Sequence, residues 1–385
     1  MEDANLIYFD NSATTKPLEE VASYIYSAVS GEENFGNPGS LHRLGTLAAR
    51  EEADAVQRIS AVLGCQTDEF VFTSCGTESV NTALRGYLSR NPRAGRHIIS
   101  TRTEHKASLE VLALLAKSGF EVTYLPVDRL GQIDCEALAG AIRPDTGLIT
   151  FTHVNSETGA VLPVEEIVTV RNRVNRDAKI HLDCVQSLGK LPLNLRQMGI
   201  DMASFSGHKI HCVKGIGGLF VKKDCRIDPL ILGGGQQKGL RSGTQSPWLY
   251  GALALAIECA MERRTCAYEN AVLLRELLLD GLAEFGVIVN SAAEGLPFII
   301  NVSFPEFQSE TLLHALEAQG AYVSTVSACA SRKQKISYIL TEMGVPKEVA
   351  SKAIRISFSA FSTKEEVAVF CETVAAVHRE FSLKV

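Results

Sequence analysis

The sequence predicts an α/β chain: a large domain with a mainly parallel sheet flanked by helices, then a smaller C-terminal α+β domain. Three observations carry this. Short β-branched runs alternate with helical patterns through the middle of the chain, the signature of parallel strands joined by helical crossovers. One run, 147–154 (GLITFTHV), is apolar almost without alternation, as a central strand covered on both faces requires. After the long helical stretch that begins near Trp248 the rhythm changes to isolated strands and helices of different spacing.

The elements follow in order. FVFT at 70–73 reads as a strand and 77–89 as the helix after it. HIIST (97–101) is a strand, and 106–118 a helix with Leu109, Leu112 and Leu115 in period. EVTYLPV (121–127) is a strand, 134–142 a short helix, and 147–154 the central strand. A helix at 163–176 has Pro163 at its start, where the missing N–H costs nothing. Strands at 179–184, 202–206 and 218–222 close the series. The tail reads as strand 298–304, helix 310–319, strand 322–325, strand 353–359 and helix 363–379. The division expected is an N-terminal arm (1–20) that packs back on the smaller domain or the active site, a large domain (21–255) and a small one (256–385).

Composition narrows the function. The 385 residues are 46% apolar and 21% charged, which excludes a disordered or fibrous chain. A formal charge of −6 argues against a general binder of polyphosphate or nucleic acid. The longest apolar stretch, 248–257, is half of the roughly 20 residues a membrane helix needs. The start, MEDANLIYFDNS, carries acids where a secretory signal carries bases, so a cytoplasmic protein is expected. The ten cysteines are dispersed with no CxxC pair, which reads as reduced thiols and no zinc site.

Chemistry concentrates at strand ends, where parallel sheets bind ligands. SFSGHK (204–209) puts Lys209 in a glycine-flanked turn after an apolar strand. A turn lysine is ordinarily a solvated group. Here hydroxyl and imidazole groups precede it and glycines admit a ligand closely, as a Schiff-base lysine requires. Asp183 ends the strand KIHLD. An ordinary reading is a turn or cap carboxylate; the alternative is a partner for a protonated pyridine nitrogen, with Gln186 in reach of the ring's phenolic oxygen. SCGTES (74–79), between a strand and a helix, offers free N–H groups to an anion such as a phosphate. Alone that pattern is weak, because Thr is a common cap. The three in sequence point to pyridoxal phosphate (PLP).

The chain resembles the cysteine desulfurases of the NifS/IscS group, class-V aminotransferases of the PLP-dependent fold type I. The motifs span nearly all of it: YFDNSATT (8–15), FGNPGSLHRLG (35–45), FTSCGTES (72–79), TEHKA (103–107), HVNSETG (153–159), HLDCVQSLGK (181–190), SFSGHK (204–209), RSGT (241–244), SACAS (327–331) and IRIS (354–357). The resemblance implies that Lys209 binds pyridoxal 5'-phosphate, that Asp183 holds the pyridine nitrogen, and that His105 stacks on the ring and moves protons. Asn155 and Gln186 lie near the phenolic oxygen. Gly76, Thr77, Ser206 and His208 hold the phosphate, with Thr244 reaching it from the partner in a homodimer. Arg355, helped by Asn37 and Asn155, takes the carboxylate of L-cysteine, and a guanidinium suits that task. Cys329 is the nucleophile: it takes the substrate sulfur as a persulfide, L-alanine leaves, and the sulfur passes to an acceptor protein for iron–sulfur assembly or tRNA thiolation. No metal is implied.

Some residues depart from that pattern. Cys75 adds a thiol beside the phosphate site, His211-Cys212-Val213 stand where Tyr-Gly-Pro is usual, Val326 replaces a Gly, and Ser359-Ala360 replace Leu-Gly. The chain also stops soon after its last helix, without the extended tail by which some relatives dock a scaffold protein. Arg332, Lys333 and Lys335 follow Cys329 in what reads as an exposed loop, either a solvated face or a surface that steers an acidic acceptor. Two other functions remain open at this point: a selenocysteine lyase or another aminotransferase-like enzyme on the same fold, and a weakly catalytic protein that only hands on sulfur.

Overall fold

The computed structural model describes residues 6–325 and 336–382. Cys329, Val326 and the basic run at 332–335 lie outside the described residues. The first element is a two-residue strand, β1 (Ile7–Tyr8), followed by helices α1 (Glu19–Ser30) and α2 (Arg43–Leu63). Then come β2 (Phe70–Thr73), α3 (Gly76–Arg90), β3 (His97–Thr101), α4 (Lys106–Lys117), β4 (Glu121–Leu125), α5 (Cys135–Ala141), β5 (Thr146–Thr152), α6 (Val164–Val174), β6 (Lys179–Asp183), the short α7 (Leu195–Met198), β7 (Met202–Ser206) and β8 (Gly217–Val221). Seven of these strands form one sheet in the order β2-β8-β7-β6-β5-β3-β4.

The sheet is parallel from β4 through β7, and β8 alone runs against its neighbours β7 and β2. Its strands are short and buried almost throughout, so their sequences read as continuous apolar runs. Helices cover both faces. One face packs Ile149, Phe151, Ile180 and Leu182 against α2 and the following long helix, α8 (Pro247–Leu282). The other packs Ile98, Leu148 and Leu219 against Val80, Leu84, Val111 and Leu112 of α3 and α4.

The 36 residues of α8 serve two cores. Its first turns, around Tyr250–Ile257, bury in the large sheet's core. Leu274, Leu278 and Leu282 bury in a second core with β9 (Ile288–Val289), β10 (Ile299–Ser303), α9 (Ser309–Ala318), β11 (Ala321–Tyr322), β12 (Ser324–Thr325) and, beyond two short helices α10 (Tyr338–Glu342) and α11 (Lys347–Ala350), β13 (Ala353–Ser357) and α12 (Lys364–Ser382). A four-stranded antiparallel sheet, β12-β13-β10-β9, centres this unit. The strand expected at 322–325 divides: Tyr322 pairs with Tyr8 of β1, whereas Ser324 and Thr325 pair with β13. Phe9 completes the second core, edge-on to Phe358 at 5.1 Å, so the N-terminal arm is stitched into it.

Candidate active site

The carboxyl ends of β2, β3, β5, β6 and β7 lie along one edge of the sheet. Registers fix this: Asp183 pairs with Thr152 and with Ser204, and Thr73 and Ser206 both pair with Gly217 from opposite sides. The segments leaving these strands surround an open cleft of about 1290 Å³, which also receives Ser12 and Ala13 from the arm and Thr325, Tyr338 and Arg355 from the second unit.

At one end of the cleft is an anion cradle. Backbone N–H groups open α3 at Gly76, and the cap residue Cys75 gives that end no side-chain cap. Ser206 Oγ is buried and has no hydrogen-bond partner, an expensive state that a phosphate oxygen would relieve. A Cβ at Gly76 would come within 2.8 Å of Val185 Cγ2, so any larger residue would push that side chain aside. His208 contributes Nδ1 at 3.1 Å from Thr14 Oγ1, and its crowded position lowers its pKa to about 4. The RSGT turn is tied to this corner by Arg241, whose Nε lies 3.0 Å from Glu78 Oε1.

At the floor, Asp183 is buried, and its Oδ1 accepts a 3.0 Å bond from the Val185 N–H. Burial raises its pKa, opposed by the nearby charges of His105 and Lys209. A carboxylate in such a place wants a cation, and a pyridinium nitrogen is one. Lys209 Nζ, on the turn after β7, donates to the carbonyls of Ser12 and, at 2.7 Å, Ala13. Gln186 donates to the Ser12 carbonyl as well, at 3.0 Å.

His105 caps α4. Its Nδ1 accepts from the Ala107 N–H at 3.1 Å, which leaves the ring proton on Nε2. The ring stands on the cleft wall, open to the cleft but crowded by protein, and that desolvation lowers its pKa. Asn155 is tightly held: its Oδ1 accepts from Glu157 N and Thr158 N, and its Nδ2 donates to Thr103 O at 3.1 Å. One amide hydrogen remains.

Arg355 enters from β13. Its Nη2 lies 2.6 Å from Asp10 Oδ1, its Nη1 donates to Ser156 O at 3.0 Å, and its buried Nε has no partner. Within one chain, Asn37 and Thr244 do not reach the cleft. Both are exposed, and Asn37 Oδ1 accepts from Gly39 N at 2.9 Å.

Several groups in or beside the cleft were not singled out from the sequence. The Ser12 and Ala13 carbonyls are 197 and 196 positions from Lys209. Glu104 and Glu157 are buried, and burial lifts each pKa to about 7. Glu104 accepts from Thr101 and Thr152 at 2.8 and 2.7 Å, and Glu157 from Ser337 at 2.6 Å. Tyr338 donates to Glu104 O at 2.7 Å and lies under Lys106 Nζ, 4.2 Å from the ring centre. The acids sit inside TEHKA and HVNSETG, which was the available signal. Of the cysteines, Cys75 borders the cleft, whereas burial lifts the thiols of Cys212 and Cys225 to about 12.

A doubly covered parallel sheet with a lysine, a buried aspartate and a helix-start anion cradle at its carboxyl edge is the large-domain plan of the PLP-dependent fold type I. The chain belongs to the aminotransferase class-V family, whose pattern matches residues 7–370. It is 37% identical to cysteine desulfurase IscS of Dictyoglomus turgidum (strain DSM 6724 / Z-1310), over 94% of this chain and 91% of that protein. It is 36% identical to cysteine desulfurase IscS of Methanosarcina thermophila, over 96% and 91%. Among solved structures, a NifS-like protein superposes with a TM-score of 0.92 at 37% identity, covering 97% of this chain and 99% of that one. SspA in complex with cysteine gives 0.82 at 32% identity, covering 92% and 99%.

Proposed function

We propose that the protein is a PLP-dependent cysteine desulfurase that converts L-cysteine to L-alanine and leaves the sulfur as a persulfide on Cys329. The observation that carries this is the alignment along one cleft of the unpartnered Ser206 hydroxyl, the buried Asp183 and the Lys209 amine, with the Arg355 guanidinium entering from the other unit. These residues fit the cofactor. Gly76, Thr77, Ser206 and His208 would hold its phosphate, Asp183 its ring nitrogen, and Gln186 and Asn155 its phenolic oxygen. When bound, pyridoxal phosphate supplies an electron sink for charge at the substrate α-carbon.

The chain's own residues do the rest. Arg355 takes the substrate carboxylate on its unpartnered Nε edge, while Asp10 and Ser156 keep the guanidinium plane fixed. Lys209 Nζ, poised between two carbonyls, receives and returns the α-proton. His105, fixed through Nδ1, presents Nε2–H to the reacting face. Cys329 attacks as a thiolate. Its Sγ bonds to the substrate sulfur, the substrate C–S bond breaks, and the electron pair goes to the carbon skeleton, which a proton completes as alanine.

Thr244 and Asn37 are exposed and remote from their own cleft, as residues serving a partner's cleft in a homodimer would be. The nine described cysteines are unpaired, in keeping with a cytoplasmic enzyme that hands sulfur to an acceptor protein. The test is product analysis. Wild type should release equimolar alanine and sulfide from L-cysteine with a small reductant, and Lys209→Ala should be colourless and inactive. Formation of a keto acid in place of alanine would defeat the proposal.

A further inference from the structure

Behind the Lys209 turn, on the side away from the cleft, is a second cavity of about 490 Å³ including its mouth. It lies between Leu18, the 188–190 segment, the 209–211 turn, one face of α8 at Cys259–Arg263 and the 358–361 turn. Most of the wall is apolar, yet Lys190, Lys209 and Arg263 line it, and of these Lys209 is held by the Ser12 and Ala13 carbonyls. Arg263 Nη1 is buried without a hydrogen-bond partner. Its other terminal nitrogen, Nη2, is 3.3 Å from Glu20 Oε1, and its guanidinium faces the Phe361 ring at 5.7 Å. Lys190 Nζ makes only long bonds to Gln186, 3.3 Å to the carbonyl and 3.5 Å to Oε1. Burial and the like charge of Lys209 lower its pKa to about 7.

The other polar side chains of the wall are engaged. Asn11 Nδ2 donates to the Tyr8 and Ser357 carbonyls, Thr15 Oγ1 to the His208 carbonyl, and His211 Nδ1 bonds Lys16 O at 2.9 Å. The cavity therefore offers under-used cationic donors inside an apolar shell. A compact acceptor carrying one negative charge meets both demands.

We propose that this cavity binds a small monoanion, of halide or carboxylate size, between Arg263 and Lys190. Lys190 abuts Gln186, so occupancy is one side chain removed from the cleft. The site is independent of which reaction the cleft performs.

The test uses the PLP-loaded protein. Crystals soaked in bromide should show an anomalous peak in contact with Arg263 Nη1. In solution at constant ionic strength, the thermal midpoint should rise saturably with bromide or acetate but not with the bulkier gluconate. Acetate alone raising it would assign a carboxylate, and both raising it a less selective site. Arg263→Gln should abolish the rise and Arg263→Lys should keep part of it. Wild-type crystals with no bromide peak in the cavity together with equal midpoints in all three salts would overturn the proposal, and neither result depends on the variants folding.

Discussion

Asp183→Asn separates what the buried carboxylate costs the empty protein from what it contributes to the loaded one. In the empty cleft, burial raises the Asp183 pKa above its ordinary carboxylate value. A carboxylate whose folded pKa exceeds its unfolded pKa destabilises the fold. The penalty is absent below the unfolded pKa and grows as pH rises toward the folded pKa. At pH 7, well above the unfolded pKa, the penalty is present. Asparagine has the same shape, and its Oδ1 still accepts from the Val185 N–H at 3.0 Å. The apo variant should therefore be at least as stable as wild type at pH 7. In the loaded protein the same change leaves the ring cation facing a neutral amide. Removing one partner of a buried ion pair costs about 3–5 kcal/mol. At about 1.4 kcal/mol per decade this weakens cofactor binding roughly 10²- to 10³-fold. Urea unfolding of the apo forms, with equilibrium dialysis against pyridoxal phosphate, reads both quantities. An apo variant less stable than wild type, or one that binds the cofactor as tightly, would refute the reasoning.

Ser206→Ala removes a hydroxyl that has no partner in the empty cleft, so apo stability should hold or rise while cofactor affinity drops roughly tenfold, the scale of one charge-assisted hydrogen bond; dialysis against pyridoxal phosphate measures it. Cys329→Ser should bind the cofactor and L-cysteine with wild-type spectra yet release almost no alanine, and substantial turnover would move the nucleophile to Cys75 at the cleft edge. Mixed dimers of Lys209→Ala and Thr244→Ala subunits should recover one site of full cofactor affinity per dimer, whereas no recovery would show that sites are not shared. Glu104, lifted to about 7 by burial, penalises the fold above its unfolded pKa, so Glu104→Gln should gain up to about 3 kcal/mol at pH 8 and little at pH 4.5, read as urea midpoints at the two pH values.

The large sheet was legible because all its strands but the edge strand β4 are buried throughout or nearly so. Phe70–Thr73, His97–Thr101 and Met202–Ser206 match their expected runs residue for residue, and the other strands of this sheet shift by one or two positions at an end. Their direction was less visible. β8 reads like its parallel neighbours, since burial on both faces gives the same composition whichever way a strand runs. Two-residue strands such as β1, β11 and β12 carry no periodicity at all, which is why 322–325 read as one element. In the site, Asp183 and Lys209 could be singled out because position in an α/β unit predicts where the chain turns toward ligand, whereas Ser206 stood out only through the family resemblance. The Ser12 and Ala13 carbonyls did not stand out, because backbone groups have no side-chain signature and their partner is almost 200 positions away.

The same long-range stitching governs Arg355. Arg355 belongs to β13 of the second unit, Ser156 to the loop after β5 of the large sheet, and Asp10 to the N-terminal arm. The guanidinium therefore has a fixed plane only when all three segments are packed together. A side chain this buried would be costly as a lone cation, and Asp10 offsets that while the cleft is empty. Asp10 meets Nη2 and the Ser156 carbonyl meets Nη1, so of the three guanidinium nitrogens only the buried Nε has no hydrogen-bond partner. The arm thus does two jobs: Phe9 fills the second core, and Asp10 holds the Arg355 guanidinium through Nη2.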